Sequence, residues 1–210
     1  GTLDYNSHYY WRVVASDHKG GTSQGPVWDF WTENYSPPVY FADANLKSAI
    51  KSALEITTDP TEDDMLILTS LSARYKNISD LTGLEYAVNL TSLDLYNNQL
   101  ISLPAEIGNL TNLTYLSLGD NDLTSIPESI GNLTNLTYLS STRNQLTYIP
   151  ESIGNLTNLT TLYIWGNQLT SIPESIGNLT NLTTLHLGDN DLSSLPDSLW
   201  NLTNLTYLES

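Results

Sequence analysis

The sequence predicts an α/β solenoid, a horseshoe with a parallel sheet on its concave side. A helical cap precedes the horseshoe, and a β-hairpin left over from a β-sandwich precedes the cap. Three observations predict this. From residue 68 onward one 23-residue unit returns repeatedly. Within each unit apolar and polar residues alternate over a few positions, as in a strand with one buried face. Before residue 68 the repeat is absent and the composition changes twice, which divides the chain into parts.

Asparagine and proline at fixed positions carry the repeat. Both residue types recur every 23 positions, as Asn98, Asn121, Asn144, Asn167 and Asn190 and as Pro104, Pro127, Pro150, Pro173 and Pro196. Leucines fill the pattern between them, as in Leu113-x-x-Leu116-x-Leu118-x-x-Asn121-x-Leu123. This pattern resembles the signature of the leucine-rich repeat family, whose units have about 20–29 residues.

The resemblance covers residues 68–210, about six and a half repeats truncated at the carboxyl end. The first copy, which begins at Leu68, has Lys76 in place of the asparagine, and the last copy stops at Ser210. One unit is too small to bury its own leucines, so neighbouring units are expected to stack and share a core. In a stack of this kind the five asparagines point inward and bond backbone groups that otherwise lack partners. The family resemblance implies the same role for them, an asparagine ladder.

The convex segment of each unit reads PESIGNL, with two departures among the repeats. Proline is expected to open a short helical turn there and glycine to close it. Trp200 replaces that glycine in the last turn, so a positive φ is not required at this position. Ser141 stands where the other copies have leucine or isoleucine, which predicts an underfilled core.

Residues 40–67 resemble the amino-terminal cap of bacterial and archaeal leucine-rich repeat proteins. Asp43 is expected to cap a first helix, and Thr61 a second one that runs through Leu68. The apolar face of the first helix comprises Leu46, Ala49, Ile50, Ala53 and Leu54. Such a cap hides the open edge of the first repeat.

Residues 1–34 have a different period. One alternating strand is expected from Leu3 to Ala15 and another from Trp28 to Thr32, with a turn-rich stretch at Asp17–Gly25 between them. The first strand resembles the penultimate strand of fibronectin type III domains, with Tyr9 at the tyrosine corner. Such a domain needs about 100 residues, so the segment is expected to be its incomplete carboxyl-terminal part. Residues 35–39 are expected to form a proline-stiffened linker.

Charge and composition exclude several classes of function. Seven basic residues stand against 23 acidic ones, which gives a net charge of −16. A chain this acidic lacks the basic surface that nucleic acids and anionic membranes require. It has no cysteine, hence no disulfide or thiolate site, and no apolar run of the roughly 20 residues that a membrane span needs. The sequence begins at Gly1, not at a methionine, and no signal peptide is expected among its residues.

No catalytic or metal-binding pattern emerges from the sequence, and no cofactor is expected. The three histidines, His8, His18 and His186, are scattered without ligand spacing. Asp120 and Asp189 are expected to lie three strands apart, too far for a pair of glycosidase carboxylates. The acidic turns around them offer too few oxygens for calcium once the ladder has engaged their asparagines.

Thirteen Asn-x-Ser/Thr motifs leave a glycosylated surface protein as one interpretation. Ten of the thirteen come from one NLTNLT segment copied five times, so they amount to a single observation. Acceptors three residues apart are poor candidates for joint modification. A structural role for these asparagines is therefore the favoured interpretation.

The concave face carries the candidate binding residues. Outward positions of the repeat hold an unusual set of aromatic and charged side chains: Tyr96, Tyr115, Asp120, Tyr138, Arg143, Tyr163, Trp165, His186, Asp189 and Tyr207. Exposed clusters of tryptophan and tyrosine are typical of the residues that dominate protein interfaces. They also suit stacking on sugar rings, and aromatic residues favour strands in any case.

The sequence therefore predicts a non-catalytic module that binds a protein partner through the concave face, in adhesion or surface-layer contact. The pairing of a fibronectin-like segment with a capped repeat array implies, by resemblance, a secreted or cell-surface protein of bacteria or archaea. The absence of cysteine-containing caps argues against plant receptors and animal extracellular members. Two alternatives stay open: a carbohydrate-binding accessory module that uses the same aromatic patch, and a structural spacer. Neither nucleic acid nor membrane insertion is expected.

Overall fold

The computed structural model describes residues 8–16, 19, 22–31 and 36–210, which fall into two units divided between Pro37 and Pro38. In the first unit, β1 (His8–Ser16) and β2 (Thr22–Trp31) pair antiparallel. His8 lies opposite Trp31 and Ser16 opposite Thr22, with an irregularity between Arg12 and Val14. This is the predicted hairpin, whereas its origin in a β-sandwich stays a prediction.

The second strand of the hairpin begins earlier than the sequence predicts. The stretch expected to be turn up to Gly25 is strand from Thr22 onward. Thr22 and Gln24 are exposed and make no apolar alternation, but strand pairing satisfies their backbone groups without it. The guanidinium of Arg12 reinforces the pairing by donating to the Gln24 side-chain oxygen at 2.7 Å. Leu3, Thr32 and the side chain of Tyr9 lie outside what the structure describes.

The second unit begins with two capping helices. Helix α1 (Ala44–Leu54) starts at Asp43, whose carboxylate accepts hydrogen bonds from the backbone N–H groups of Asn45 at 2.7 Å and Leu46 at 3.1 Å. The other carboxylate oxygen of Asp43 accepts from the N–H of Ser79 at 2.8 Å. The carboxylate that caps the helix thus also fastens it to the first repeat.

The buried face of α1 is shorter than predicted. Leu46, Ala49 and Ile50 are buried, but Ala53 is exposed because it faces an open groove beside the first strand of the sheet. Helix α2 (Glu62–Ile67) begins at Thr61 with a capping box, in which the Thr61 hydroxyl accepts from the N–H of Asp64 and the Asp64 carboxylate accepts from the N–H of Thr61.

Seven short strands form one parallel sheet within residues 36–210, in the order of the sequence. Each strand has three residues, and the middle residue, a leucine, points into the core except in the last strand, where it is partly exposed. The strands are β3 (Ser70–Ser72), β4 (Ser92–Asp94), β5 (Tyr115–Ser117), β6 (Tyr138–Ser140), β7 (Thr161–Tyr163), β8 (Thr184–His186) and β9 (Tyr207–Glu209). Equivalent positions pair from β4 to β9, so side chains that share a repeat position lie side by side.

Short 3₁₀ helices form the convex side. They span Leu84–Tyr86, Ala105–Asn109, Glu128–Asn132, Glu151–Asn155, Glu174–Asn178 and Asp197–Asn201. From the second helix onward, proline precedes the helix in extended conformation, as predicted. The glycine does not close the turn, because Gly154 lies inside its helix and Leu156 is the carboxyl-terminal cap.

Close packing between repeats explains the convex glycine. A Cβ atom on Gly154 would lie 2.6 Å from the backbone carbonyl oxygen of Ser175 in the following turn. Gly108, Gly131 and Gly177 meet the next serine at 2.5–2.6 Å in the same way. None of these glycines has a positive φ, so the missing side chain, not backbone freedom, is what the position requires. Trp200 occupies this position in the last turn and is 80% exposed.

Two ladders of asparagine side chains join the repeats. On the inner side, Asn98, Asn121, Asn144, Asn167 and Asn190 donate to backbone carbonyls of their own and the preceding repeat and accept from backbone N–H groups. On the outer side, the second asparagine of each NLTNLT segment donates to a carbonyl of the preceding repeat at 2.8–2.9 Å. In each pair of glycosylation motifs, one asparagine side chain is therefore engaged in a hydrogen bond that joins two repeats.

Candidate functional site

The in-register stacking of repeats places the predicted aromatic side chains next to one another on the concave sheet. Tyr115 on β5 pairs with Tyr138 on β6, and Tyr163 on β7 pairs with His186 on β8. Their rings form a continuous series that also includes Trp165 and Tyr207. We call this series the aromatic row, and it comprises Tyr115, Tyr138, Tyr163, Trp165, His186 and Tyr207.

Ring contacts run along the whole aromatic row. The centroids of Tyr115 and Tyr138 lie 4.5 Å apart with the rings stacked at 9°, and Tyr163 meets Tyr138 edge-on at 5.8 Å. His186 is the centre of the second half, with centroid distances of 6.3 Å to Tyr163, 5.6 Å to Trp165 and 6.2 Å to Tyr207. Partial burial, followed by the proximity of Tyr115, raises the pKa of Tyr138, so its hydroxyl stays a neutral hydrogen-bonding group.

Arg143 completes the centre of the site. Its guanidinium carbon lies 4.7 Å from the centroid of the Trp165 ring and its Nη1 lies 3.9 Å from the Asp120 carboxylate. Arg143 has a left-handed backbone with φ 50°, a conformation that is uncommon outside glycine, asparagine and aspartate. Gly166, the residue beside it in the next repeat, has φ 69° and leaves room for the arginine side chain. Trp165 therefore contacts a cation from one neighbouring repeat and the His186 ring from the other.

The carboxyl-terminal half of the row encloses a recess, which we call the notch, lined by Tyr163, Trp165, Thr184, His186 and Tyr207. Tyr163 and Tyr207 stand at 84° and 80° to the His186 ring, whereas Trp165 lies within 25° of it. Glu209 borders the notch, with its carboxylate 3.2 Å from His186 Nε2. It also accepts a hydrogen bond from the Tyr207 hydroxyl, and this bond raises the pKa of Tyr207.

A second cationic and aromatic cluster lies at the other end of the sheet, and the sequence analysis missed part of it. Arg74 lies 4.8 Å from the ring centroid of Tyr96 and 3.4 Å from the Asp94 carboxylate, and Tyr75 meets Tyr96 edge-on at 5.6 Å. Arg74 and Tyr75 occupy the outward positions of the first repeat. The repeat pattern predicts both residues when it is extended to the copy that begins at Leu68, although that copy has Lys76 in place of the ladder asparagine.

The remaining predicted residues divide between two places. Tyr96 turns toward Asp120, and a hydrogen bond between them raises the pKa of the Tyr96 hydroxyl. Gly119 makes room for that ring, since a Cβ atom there would lie 3.2 Å from a Tyr96 ring carbon. Asp189 is exposed in a left-handed turn after β8. It lies three strands from Asp120, about 14 Å at the usual strand spacing, so the structure does not bring the two carboxylates together.

The part of the chain that the structure describes carries neither a metal-ion site nor a membrane helix. No group of three or more histidine, aspartate or glutamate side chains there is arranged to hold a metal ion. No helix among the same residues is long and apolar enough to cross a bilayer. Aromatic rings, guanidinium groups and carboxylates are the groups that the concave sheet presents.

Comparison with known proteins supports the repeat architecture. A family model described as a leucine-rich repeat region matches residues 65–167 and 130–210, which together include more than half of the chain. The sequence matches no curated protein.

Two solved structures are similar to the chain. A leucine-rich repeat protein of Leptospira interrogans shares 33% sequence identity, with a TM-score of 0.51, over 64% of this chain and 40% of that one. The functional domain of InlJ from Listeria monocytogenes, which includes a cysteine ladder, shares 26% identity with a TM-score of 0.50 over 80% of this chain and 45% of that one. The chain thus spans less than half the length of either structure.

Proposed function

The chain belongs to the leucine-rich repeat family, and we propose that it is a non-catalytic module that binds a protein partner on its concave face. The continuous aromatic row carries this proposal. Solenoids of this kind present extended concave surfaces for binding. The row places six rings on that surface, from β5 to β9, and rigid aromatic side chains dominate the energy of protein interfaces.

The way the rings pack favours a protein over a carbohydrate. A sugar ring binds by lying flat on an open aromatic face, but Tyr115 and Tyr138 are stacked on each other at 4.5 Å. The Trp165 ring already contacts the Arg143 guanidinium and the His186 ring. The surface therefore offers ring edges, hydroxyls and charged groups, which match the mixed polar and apolar surface of a protein.

The experiment is to probe an array of surface proteins and glycans with the purified chain and three variants. We expect binding to a protein ligand that weakens at least tenfold, about 1.4 kcal/mol, in Trp165→Ala and Tyr138→Ala. Trp200→Ala removes an exposed tryptophan from the convex side and should bind as the parent does. Melting temperatures measured in parallel should differ little between Trp165→Ala and Trp200→Ala.

The outcomes separate the three hypotheses. Binding to glycans alone would favour a carbohydrate-binding accessory module. No binding to any component at low or high salt would favour a structural spacer. Normal protein binding by Trp165→Ala would place the interface elsewhere.

We further propose an extracellular or cell-surface location, with adhesion or surface-layer contact as the biological setting. This rests on the fibronectin-like segment that precedes a capped repeat array, a pairing that resembles bacterial and archaeal surface proteins. Protease treatment of intact cells that produce the protein tests it. Cleavage of the protein on intact cells is expected, whereas protection until the cells are lysed would contradict the proposal.

A further inference from the structure

The repeats that form the notch contain acidic residues but no lysine or arginine. Arg143 is the last basic residue of the sequence, and residues 144–210 contain six acidic residues and no lysine or arginine. The six are Glu151, Glu174, Asp189, Asp191, Asp197 and Glu209. The acidic charge of these repeats attracts cationic partners over distances of about 10 Å at ordinary ionic strength.

Elsewhere on the concave face, two aromatic rings each contact an arginine of the protein itself. Arg74 lies over Tyr96 and Arg143 over Trp165, at 4.8 Å and 4.7 Å. Each of these arginines also has an aspartate carboxylate nearby, at 3.4 Å and 3.9 Å. The recurring unit is a guanidinium between an aromatic ring and a carboxylate, which is the geometry expected of a cation–π contact supported by charge.

The notch has the rings and the carboxylate of this unit but no arginine or lysine among its lining residues; His186 Nε2 lies 3.2 Å from the carboxylate in its place. Tyr163 and Tyr207 stand nearly perpendicular to His186, with Trp165 as a further wall and Thr184 at the recess. The Glu209 carboxylate borders these rings and is 54% exposed. Ring walls at right angles with a carboxylate at the rim form a receptor for a positively charged side chain.

We propose, as an extension of the protein-binding function, that the notch receives an arginine or lysine side chain of the partner. The cation lies in the recess between the Tyr163 and Tyr207 rings, with Trp165 only as a side wall, and pairs with Glu209. The partner surface that meets this end of the solenoid is therefore basic. The stacked tyrosines at the other end of the row contact its apolar part.

Two peptides of one sequence test the proposal, one with three arginines and the other with citrulline, a neutral isostere, in their place. Titration is followed by the indole and amide resonances of the isotope-labelled chain. The arginine peptide is expected to shift Trp165 and Tyr207 saturably, with an affinity at least tenfold above that of the citrulline peptide. Tyr207→Leu and Glu209→Gln should each reduce that affinity at least threefold. Trp200→Leu, a matched change of an exposed aromatic on the convex side, should leave it unchanged.

Equal affinity for the two peptides would overturn the proposal. So would resonance shifts spread over the convex turns, because these indicate general attraction to an acidic chain and not a receptor. Either result leaves the concave protein-binding function intact, since that function is tested separately by Trp165→Ala and Tyr138→Ala on the array. Unchanged array binding in those two variants, by contrast, would remove the basis of both proposals.

Discussion

The side-chain oxygen of Asn144 accepts a hydrogen bond from the backbone N–H of Leu123 at 2.9 Å. Its amide nitrogen donates to the carbonyls of Leu118 at 3.0 Å and Ser141 at 3.1 Å. Asn144 is only 8% exposed, so water cannot replace these bonds. With a further bond to the Thr142 carbonyl at 3.1 Å, this one side chain bonds four backbone groups that belong to two successive repeats.

Asn144→Ala is expected to lower the free energy of unfolding by about 2–4 kcal/mol, because buried backbone donors and acceptors would lose their partner. Urea denaturation followed by circular dichroism measures the change. The neighbouring Gln145→Ala is the control, since that side chain is exposed and bonds only the exposed Asp122. Its effect should stay within about 0.5 kcal/mol. Similar losses in the two variants would contradict a structural role for the inner ladder.

Gly154→Ala is expected to destabilise the protein by about 1–3 kcal/mol through overpacking. The added methyl group would meet the Ser175 carbonyl at 2.6 Å, and that backbone atom cannot rotate away. Trp200→Ala at the equivalent position of the last turn is the matched control, and it should change the melting temperature little. A Gly154→Ala protein as stable as the parent would show that the repeats can separate without cost.

Ser141→Leu is expected to stabilise the protein by about 1–3 kcal/mol. Ser141 is fully buried and its hydroxyl has no hydrogen-bond partner among the described residues. Strand pairing on either side of it keeps the register of the other repeats, and its N–H donates to the Tyr163 carbonyl at an ordinary 2.9 Å. The backbone around Ser141 has therefore not shifted into the space that leucine or isoleucine fills in the other repeats.

Ser141→Ala separates the two contributions to this effect. It removes the unpaired hydroxyl without adding volume and is expected to stabilise by about 1 kcal/mol. Thermal unfolding of the parent and both variants ranks them. A loss of stability in Ser141→Leu alone would mean that neighbouring side chains already fill the space.

Asp43 gives a prediction that depends on pH. Burial acts to raise the pKa of its carboxyl, but hydrogen bonds from the N–H groups of Ser79, Leu46 and Asn45 and from the Ser79 hydroxyl outweigh it. The pKa of Asp43 is thereby held below its ordinary value. Its stabilising contribution is therefore fully present above the unfolded-state pKa of about 3.9 and is lost as the pH falls through the lower folded-state pKa.

Asp43→Ala is expected to cost about 1–3 kcal/mol at neutral pH, through loss of the helix cap and of the bonds to Ser79. The difference from the parent should shrink on acidification to about pH 2. Urea denaturation at several pH values measures it. Asp59→Ala serves as the control, because that exposed carboxylate pairs with Lys47 and Lys51 at the surface and caps no helix. A gap that stays constant with pH would rule out the ionised carboxylate as its source.

The sequence predicted those features that one repeat determines by itself. The alternation around Leu116 requires a strand with one buried face, and the spacing of 23 residues requires equivalent residues to lie side by side. The helix caps at Asp43 and Thr61 were readable for the same reason, since a cap is a local pattern. The parallel sheet confirms the predicted horseshoe.

Features that depend on contact between repeats could not be predicted in the same way. Within one unit, the convex glycine resembles a helix terminator. The position requires glycine because the serine backbone of the next turn packs against it, and this contact is not visible in a single unit. The angle between the Tyr163 and His186 rings depends on side chains from several repeats. Arg74 was missed because its repeat departs from the consensus, although its position relative to Leu71 matches the pattern.

The contact between convex glycine and serine also bears on how such an array can grow. A gene segment that encodes one 23-residue unit can be duplicated in tandem at Gly108, Gly131, Gly154 or Gly177, because each copy arrives with the cleft that its neighbour needs. A unit inserted directly after Trp200 differs, because the serine carbonyl of its convex turn would meet the Trp200 side chain. At the glycine positions, that carbonyl lies only about 2.6 Å from where a Cβ atom would be. Tandem duplication of a glycine-containing unit is therefore expected to preserve the packing between neighbouring turns.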